Sequence, residues 1–238
     1  GDMMKKVSLF FLTGIVALLL CSCNKAKNEH FELENTPWGM TMEETMEAYQ
    51  VERDDLDDIQ EGTYGSAFML RDGREIFGAK TDHISFNFLD MTVSGKTQKL
   101  HRIDVMYPDN TDMSEVLKNM KQSFGETTDK VTDFDMTGTL LDNNMRRYDY
   151  EADEYLTLWA DKKVSDVIPK GQEEEYEKLW EIPMTRLSED KWEEFSENAS
   201  LVYVYCSDNA SDAPIGDKRI RIDATNWVIY NTIKEELE

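Results

Sequence analysis

The chain is 238 residues long and carries 49 Asp and Glu against 26 Lys and Arg, a formal net charge of −23. That charge repels phosphate backbones and anionic headgroups, which excludes nucleic acid as a partner. A content of 40% hydrophobic and 11% aromatic residues excludes wholesale disorder and gives enough chain for a core without disulfide staples.

The N-terminus carries an address. Lys5 and Lys6 precede a predominantly apolar run, Val7–Leu20, of 14 residues. This suits the central part of a signal peptide and falls short of the ~20 residues of a membrane span. It ends in Leu20-Cys21-Ser22-Cys23, followed by the polar Asn24-Lys25. The segment resembles the signal peptide of bacterial lipoproteins, with Leu20 at −3, the small Ser22 at −1 and Cys23 at +1 of a lipobox. The resemblance implies export, lipidation of the Cys23 thiol and cleavage before it. Cys21 fits less well, because Leu20 at its −1 position is too large. Gly1-Asp2, ahead of Met3, reads as a cloning remnant. The expected organisation is a signal peptide over 1–22, a lipidated tether over 23–35 and one α+β domain over 36–238. A change of character near 162 would divide that domain into two sub-modules. After cleavage Cys206 is the one cysteine left besides Cys23, so no intramolecular disulfide is expected; it follows Leu201–Tyr205 as a buried strand thiol.

Thr41 and Glu44 form a capping box that opens a short amphipathic helix through Met42, Met46 and Tyr49. The acidic run Asp54–Asp58 reads as a loop. Ser66–Leu70 and Glu75–Ala79 flank Arg71-Asp72-Gly73-Arg74, and Asp-Gly between apolar runs predicts a hairpin. Ile84, Phe86 and Phe88 alternate with Ser85 and Asn87 as a half-buried strand, and Ile103, Val105 and Tyr107 repeat the pattern after a turn at Ser94-Gly95-Lys96. Asp112 caps a second helix with Met113, Val116, Leu117, Met120 and Phe124 on one face, and Gly125 gives it a left-handed stop. Arg146–Glu151 and Tyr155–Asp161 read as strands, the latter with Leu156 and Leu158 facing inward. Acidic helical pieces follow at Glu173–Trp180 and near Ser188–Glu197. Leu201–Cys206, apolar on both faces, reads as a central strand, and Arg219–Asp223 as another. The tail from Asn226 mixes helical spacing with β-branched residues. The fold class is therefore α+β, an antiparallel sheet with helices on one face and a helical insertion around 165–198.

The unit Trp38-Gly39-Met40-Thr41-x-Glu43-Glu44, with the Phe-x-Phe strands and the helix ending Phe124-Gly125, resembles a module of exported bacterial lipoproteins. This is the helix-plus-antiparallel-sheet type found in outer-membrane-assembly lipoproteins and β-lactamase-inhibitor proteins. The resemblance covers about residues 36–160 and implies binding of another envelope protein, with no catalytic residues to carry over.

Chemistry-bearing patterns are scarce. His83 and His101, with Asp82 and Asp104, would make a two-His, two-carboxylate metal site, but alternation gives His83 the outward parity of Ser85 and His101 the inward parity of Ile103. The sequence lacks Gly-x-Ser-x-Gly, Walker, His-Glu-x-x-His and Cys-x-x-Cys motifs. Asp54–Glu61 and Ser207–Asp212 are oxygen-rich but lack the spacing that wraps calcium. Trp38, Trp159, Trp180 and Trp192 fall off the regular core parity and would form a contact patch if exposed together. The reading favoured is a non-enzymatic lipoprotein, needing no cofactor or metal and anchored through Cys23 to the cell membrane or outer membrane. Its domain faces the extracytoplasmic side and binds a protein or peptide. The alternatives are a lipoprotein that captures a sugar or peptide for uptake, and a surface hydrolase built on a carboxylate pair.

Overall fold

The computed structural model describes residues 30–90, 97–127, 156–180, 192–207 and 218–238. The signal peptide, Cys23, the turn at 94–96, the strand expected at 146–151, residues 188–191 of the second acidic helix and the loop residues 208–212 lie outside the described residues.

Seven strands form one antiparallel sheet in the order β1-β2-β5-β6-β9-β8-β7. These are β1 (Asp58–Glu61), β2 (Gly65–Leu70), β5 (His83–Asp90), β6 (Gln98–Met106), β7 (Leu156–Ala160), β8 (Tyr203–Ser207) and β9 (Arg219–Asp223); β3 (Glu75–Ile76) and β4 (Ala79–Lys80) pair with each other alone. Among the described residues five helices accompany them: α1 (Met42–Tyr49), α2 (Met113–Phe124), α3 (Glu173–Trp180), α4 (Trp192–Asn198) and α5 (Thr225–Leu237). The expected α+β architecture is thus present. The sheet continues across the change of character near 162, because β9 inserts between β6 and β8.

Period-two alternation sets the inward face. Phe68, Leu70, Ile84, Phe86, Phe88, Leu100, Ile103, Val105, Val204, Cys206, Ile220 and Ile222 are all buried. They join Met113, Val116, Met120 and Phe124 of α2 and Val228, Ile229 and Ile233 of α5 in a single core. Burying each large aliphatic or aromatic side chain contributes roughly 1.5–3 kcal/mol, which holds the helices on this face. The capping box of α1 forms as expected: Glu44 N–H donates to Thr41 Oγ1 at 3.2 Å and Thr41 N–H to Glu44 Oε2 at 2.8 Å. Asp112 caps α2 through Ser114 N–H at 3.0 Å. Gly125 ends α2 with φ +89° and ψ −165°, an extended mirror conformation rather than the left-handed helical one.

Three expectations change. The Asp72-Gly73 hairpin does not form: β2 pairs with β1 on one side and β5 on the other, and residues 71–82 make an excursion between paired strands. Short pieces β3 and β4 lie in that excursion, where Tyr107 Oη donates to Ile76 O at 3.1 Å and Phe77 meets Phe124 edge-on. In β7 Trp159 pairs with buried Val204 and is 1% exposed, while the side chains of Leu156 and Leu158, expected to face inward, lie outside the described residues. Residues 30–35, read as tether, are folded in, with Phe31 and Leu33 buried in the core. His30 stacks on Trp227 at 4.0 Å and bonds Asp161 at 2.8 Å. Finally, Trp159, Trp180 and Trp192 are buried, so they make no surface patch. The Gly39-Met40 pair clasps β6: Gly39 N–H donates to Leu100 O at 3.0 Å and Leu100 N–H to Met40 O at 2.7 Å.

Candidate functional site

The outward face of the sheet is built differently. The register aligns Asn87, Arg102, Asp223 and Tyr203 in one row across β5, β6, β9 and β8. The next row is Ser85, Asp104, Arg221 and Tyr205, and a third is His83, Met106, Arg219 and Ser207. Ala67 and Met69 of β2 flank these rows on one side. Tyr203, Tyr205 and Ala160 form a small apolar cluster on the other, separate from the main core. The helices contribute their buried apolar side chains to that main core.

Asp104 is the hub. It accepts from Arg221 Nε at 2.6 Å on one oxygen. Arg102 Nε approaches the other at 3.3 Å as an ion pair, without the alignment of a hydrogen bond. Arg102 also donates from Nη2 to Asn87 Oδ1 at 3.2 Å. Burial opposes the charge of Arg221, but the Asp104 carboxylate, with Tyr203 and Asp223, outweighs it and holds the guanidinium pKa above its usual value. Arg219 is placed less favourably. Its guanidinium lies 5.2 Å from the Tyr205 ring centroid, and burial together with the neighbouring Arg221 charge lowers its pKa. Among the described residues, Asn87 Nδ2, Arg102 Nε and Arg219 Nε are buried donors with no hydrogen-bond acceptor. Native structures leave few such groups, so three on one face set this surface apart.

A second polar cluster lies at the junction of β6 and α5. The pairing of Phe88 with Leu100 and of Asn87 with Arg102 leaves His101 as the extra residue of a β-bulge. This breaks the alternation that gave His101 the parity of Ile103. His101 Nδ1 is 2.8 Å from Thr225 Oγ1, and Thr225 donates from Oγ1 to Asp223 Oδ1 at 2.6 Å and from its backbone N–H at 2.9 Å. Burial pushes the His101 pKa down to about 4, against the pull of the Asp223 and Asp104 charges and with the help of Arg102 and Arg221. A hydrolytic triad needs the imidazole between hydroxyl and carboxylate. Here the hydroxyl stands in the middle, so the cluster fixes the bulge to the helix start instead of relaying a proton toward a nucleophile.

His83 lies at the opposite end of the β5–β6 pair, opposite Met106, and bonds Asp82 at 2.8 Å. The four residues considered for a metal are therefore not gathered together, and among the described residues no group of three or more His, Cys, Asp or Glu side chains could hold a metal ion. In the acidic run, Asp57 pairs with Arg71 at 2.7 Å, Glu61 pairs with Arg53 at 2.7 Å, and Asp58–Glu61 is strand β1. Cys206 is buried in strand β8, as expected. Among the described residues no helix is long and apolar enough to cross a membrane.

The arginines of the outer face escaped the sequence reading. Arg219-Ile-Arg-Ile-Asp223 carried the signal, since alternating cations in an acidic chain mark a distinctive outward stripe. Its placement beside Arg102 and Asp104 depends on a pairing across more than 100 residues, which alternation within a strand does not encode. No protein-family model matches the chain, and comparisons with curated proteins and with solved structures found no significant match.

Proposed function

We propose that the chain is a non-enzymatic envelope lipoprotein, anchored through Cys23, whose domain binds a protein or peptide partner on the outward face of its sheet. The observation that carries this reading is the face itself, where the partly exposed Ala67, Met69, Arg102, Arg219 and Arg221 border the buried Asp104, Tyr203 and Tyr205. Interfaces favour this mixture, with arginine and tyrosine enriched and apolar contacts around them. The lipobox residues Leu20, Ser22 and Cys23 support the anchor, since two acyl chains give stable attachment where one is marginal.

The test begins with Cys23→Ala, which is expected to leave the protein uncleaved and to abolish labelling by a palmitate analogue in cells. Labelling that persists in Cys23→Ala and vanishes in Cys21→Ala would overturn the choice of cysteine. Cross-linking of the lipidated protein in cells, followed by its isolation, is expected to recover a specific envelope partner. Recovery of the protein alone would contradict the binding role.

A further inference from the structure

We propose that the outer stripe of α5, formed by Trp227, Tyr230 and Leu237 with His30 stacked at its start, is the surface that lies against the headgroup layer of the membrane. This rests on the reading of Cys23 as the lipid anchor and specifies which side of the domain the anchor holds down. Two independent observations meet on α5, and the first is where the chain from the anchor ends. Cys23 and His30 are seven residues apart, a reach of at most about 25 Å even fully extended. A domain of about this length has a radius of gyration near ~17 Å, so that reach is shorter than the domain is wide. The side bearing His30 therefore stays close to the bilayer. His30 is fixed on that side: its ring stacks on Trp227 at 4.0 Å, Nδ1 lies 2.8 Å from Asp161 Oδ2, and its carbonyl accepts from Trp38 Nε1 at 2.8 Å. With Phe31 and Leu33 buried in the core, residues beyond His30 add nothing to the reach.

The second observation is the stripe itself. Trp227, Tyr230, Lys234 and Leu237 of α5 fall within an arc of about 80° at 3.6 residues per turn, while Val228, Ile229 and Ile233 turn into the core. Trp227 and Tyr230 are half-buried, their rings 5.8 Å apart and inclined by 27°. Leu237, 41% exposed, is one of two exposed large apolar side chains among the described residues. Tryptophan and tyrosine, each an apolar body with a polar tip, settle at headgroup depth, and a lysine on the same stripe keeps its charge in water above an apolar stem. Acidic surroundings narrow the class of surface. Helix α3 packs on α5 through Tyr176 and Tyr230 and opens with Glu173, Glu174 and Glu175, and Glu235, Glu236 and Glu238 are exposed at the end of α5. Anionic lipids repel these charges. The contact is therefore with zwitterionic headgroups, through the rings and Leu237.

The experiment places the lipidated protein, purified from cells, in vesicles of phosphatidylcholine and phosphatidylethanolamine. Mass spectrometry of its N-terminal fragment establishes the lipid on Cys23. Lipids brominated on their acyl chains close to the headgroup quench tryptophans that reach them. The expected result is quenching of the wild type and its loss in Trp227→Phe, whose melting curve checks folding. A nitroxide on Leu237→Cys gives a second reading that spares the core. Its comparison is a nitroxide on Asp58→Cys in β1, the edge of the sheet opposite β7 and Asp161; Cys206 is buried and takes no label. The nitroxide at 237 is expected to be shielded from a water-soluble nickel relaxant and the one at 58 to be open to it. Quenching absent from the wild type or unchanged in Trp227→Phe, or equal nickel access at 237 and 58, would overturn the membrane-facing stripe while lipid on Cys23 leaves the anchor standing. A protein without that lipid would sink the anchor reading and this inference with it. Contact seen only after phosphatidylglycerol is added would overturn the choice of zwitterionic headgroups.

Discussion

His101 departs from its sequence pattern, and the departure makes the fold sensitive to acid. Because the bulge buries it against Thr225, the native state resists protonation down to about pH 4, whereas the unfolded chain takes up a proton near pH 6.5. Between these values the unfolded state binds more protons, so stability falls as pH falls through that window. The wild type is expected to lose about 2–3 kcal/mol relative to His101→Gln between pH 7 and pH 4, measured by urea unfolding. A constant gap across that range would mean that His101 titrates normally. The arginine cluster predicts a contrast of opposite sense. Asp104→Asn strips Arg221 and Arg102 of their carboxylate and should cost about 3 kcal/mol. Arg219→Met removes a buried charge that rests on an aromatic ring, and should leave stability unchanged or raise it by up to about 1 kcal/mol. Equal destabilisation by both would show that Arg219 serves the fold instead of a partner.

At the scale of elements, legibility followed the range of the interaction that fixes each one. Caps and helical stripes are local, so α1 and α2 were readable from Thr41, Glu44, Asp112 and the spacing of Met113, Val116, Met120 and Phe124. Strand faces in β5 and β6 were readable from alternation, apart from the bulge at His101. What failed depends on distant pairing. The Asp72-Gly73 turn looked like a hairpin because turn chemistry is local, but β2 is held by its pairing with β1 and β5 while Phe68 and Leu70 are buried in the core. The tail from Asn226 stayed ambiguous because Val228, Ile229 and Ile233 favour strands intrinsically; burial of all three in the core settles it as helix α5. Leu117, expected at the centre of the α2 stripe, is only partly buried, whereas Met120 is fully enclosed. Met120→Ala should therefore cost about 2–5 kcal/mol. Lys118→Ala, which removes a 61%-exposed side chain paired with Glu115, should change stability by less than about 0.5 kcal/mol. Melting curves of the two variants check this, and similar losses would refute the assigned face.

In the whole molecule, the C-terminal strand β9 joins what the sequence presented as two halves. It places Arg219 and Arg221 beside Arg102 and Asp104, while Ile220 and Ile222 complete the core behind them. The same pairing thus closes the fold and creates the polar face, which is why neither half of the chain disclosed that face by itself. A single core gathers the helices' buried apolar side chains, and the sheet's reverse surface carries the chemistry. The central claim is that this reverse surface meets the partner. Site-specific photo-cross-linking in cells tests it most directly, with the reactive side chain at Ala67 or Met69 on the outward face of β2 and, for comparison, at Lys118 on α2. The account predicts one discrete cross-linked product from 67 and 69 and none from 118. A product from 118 alone, or equally from all three positions, would contradict it.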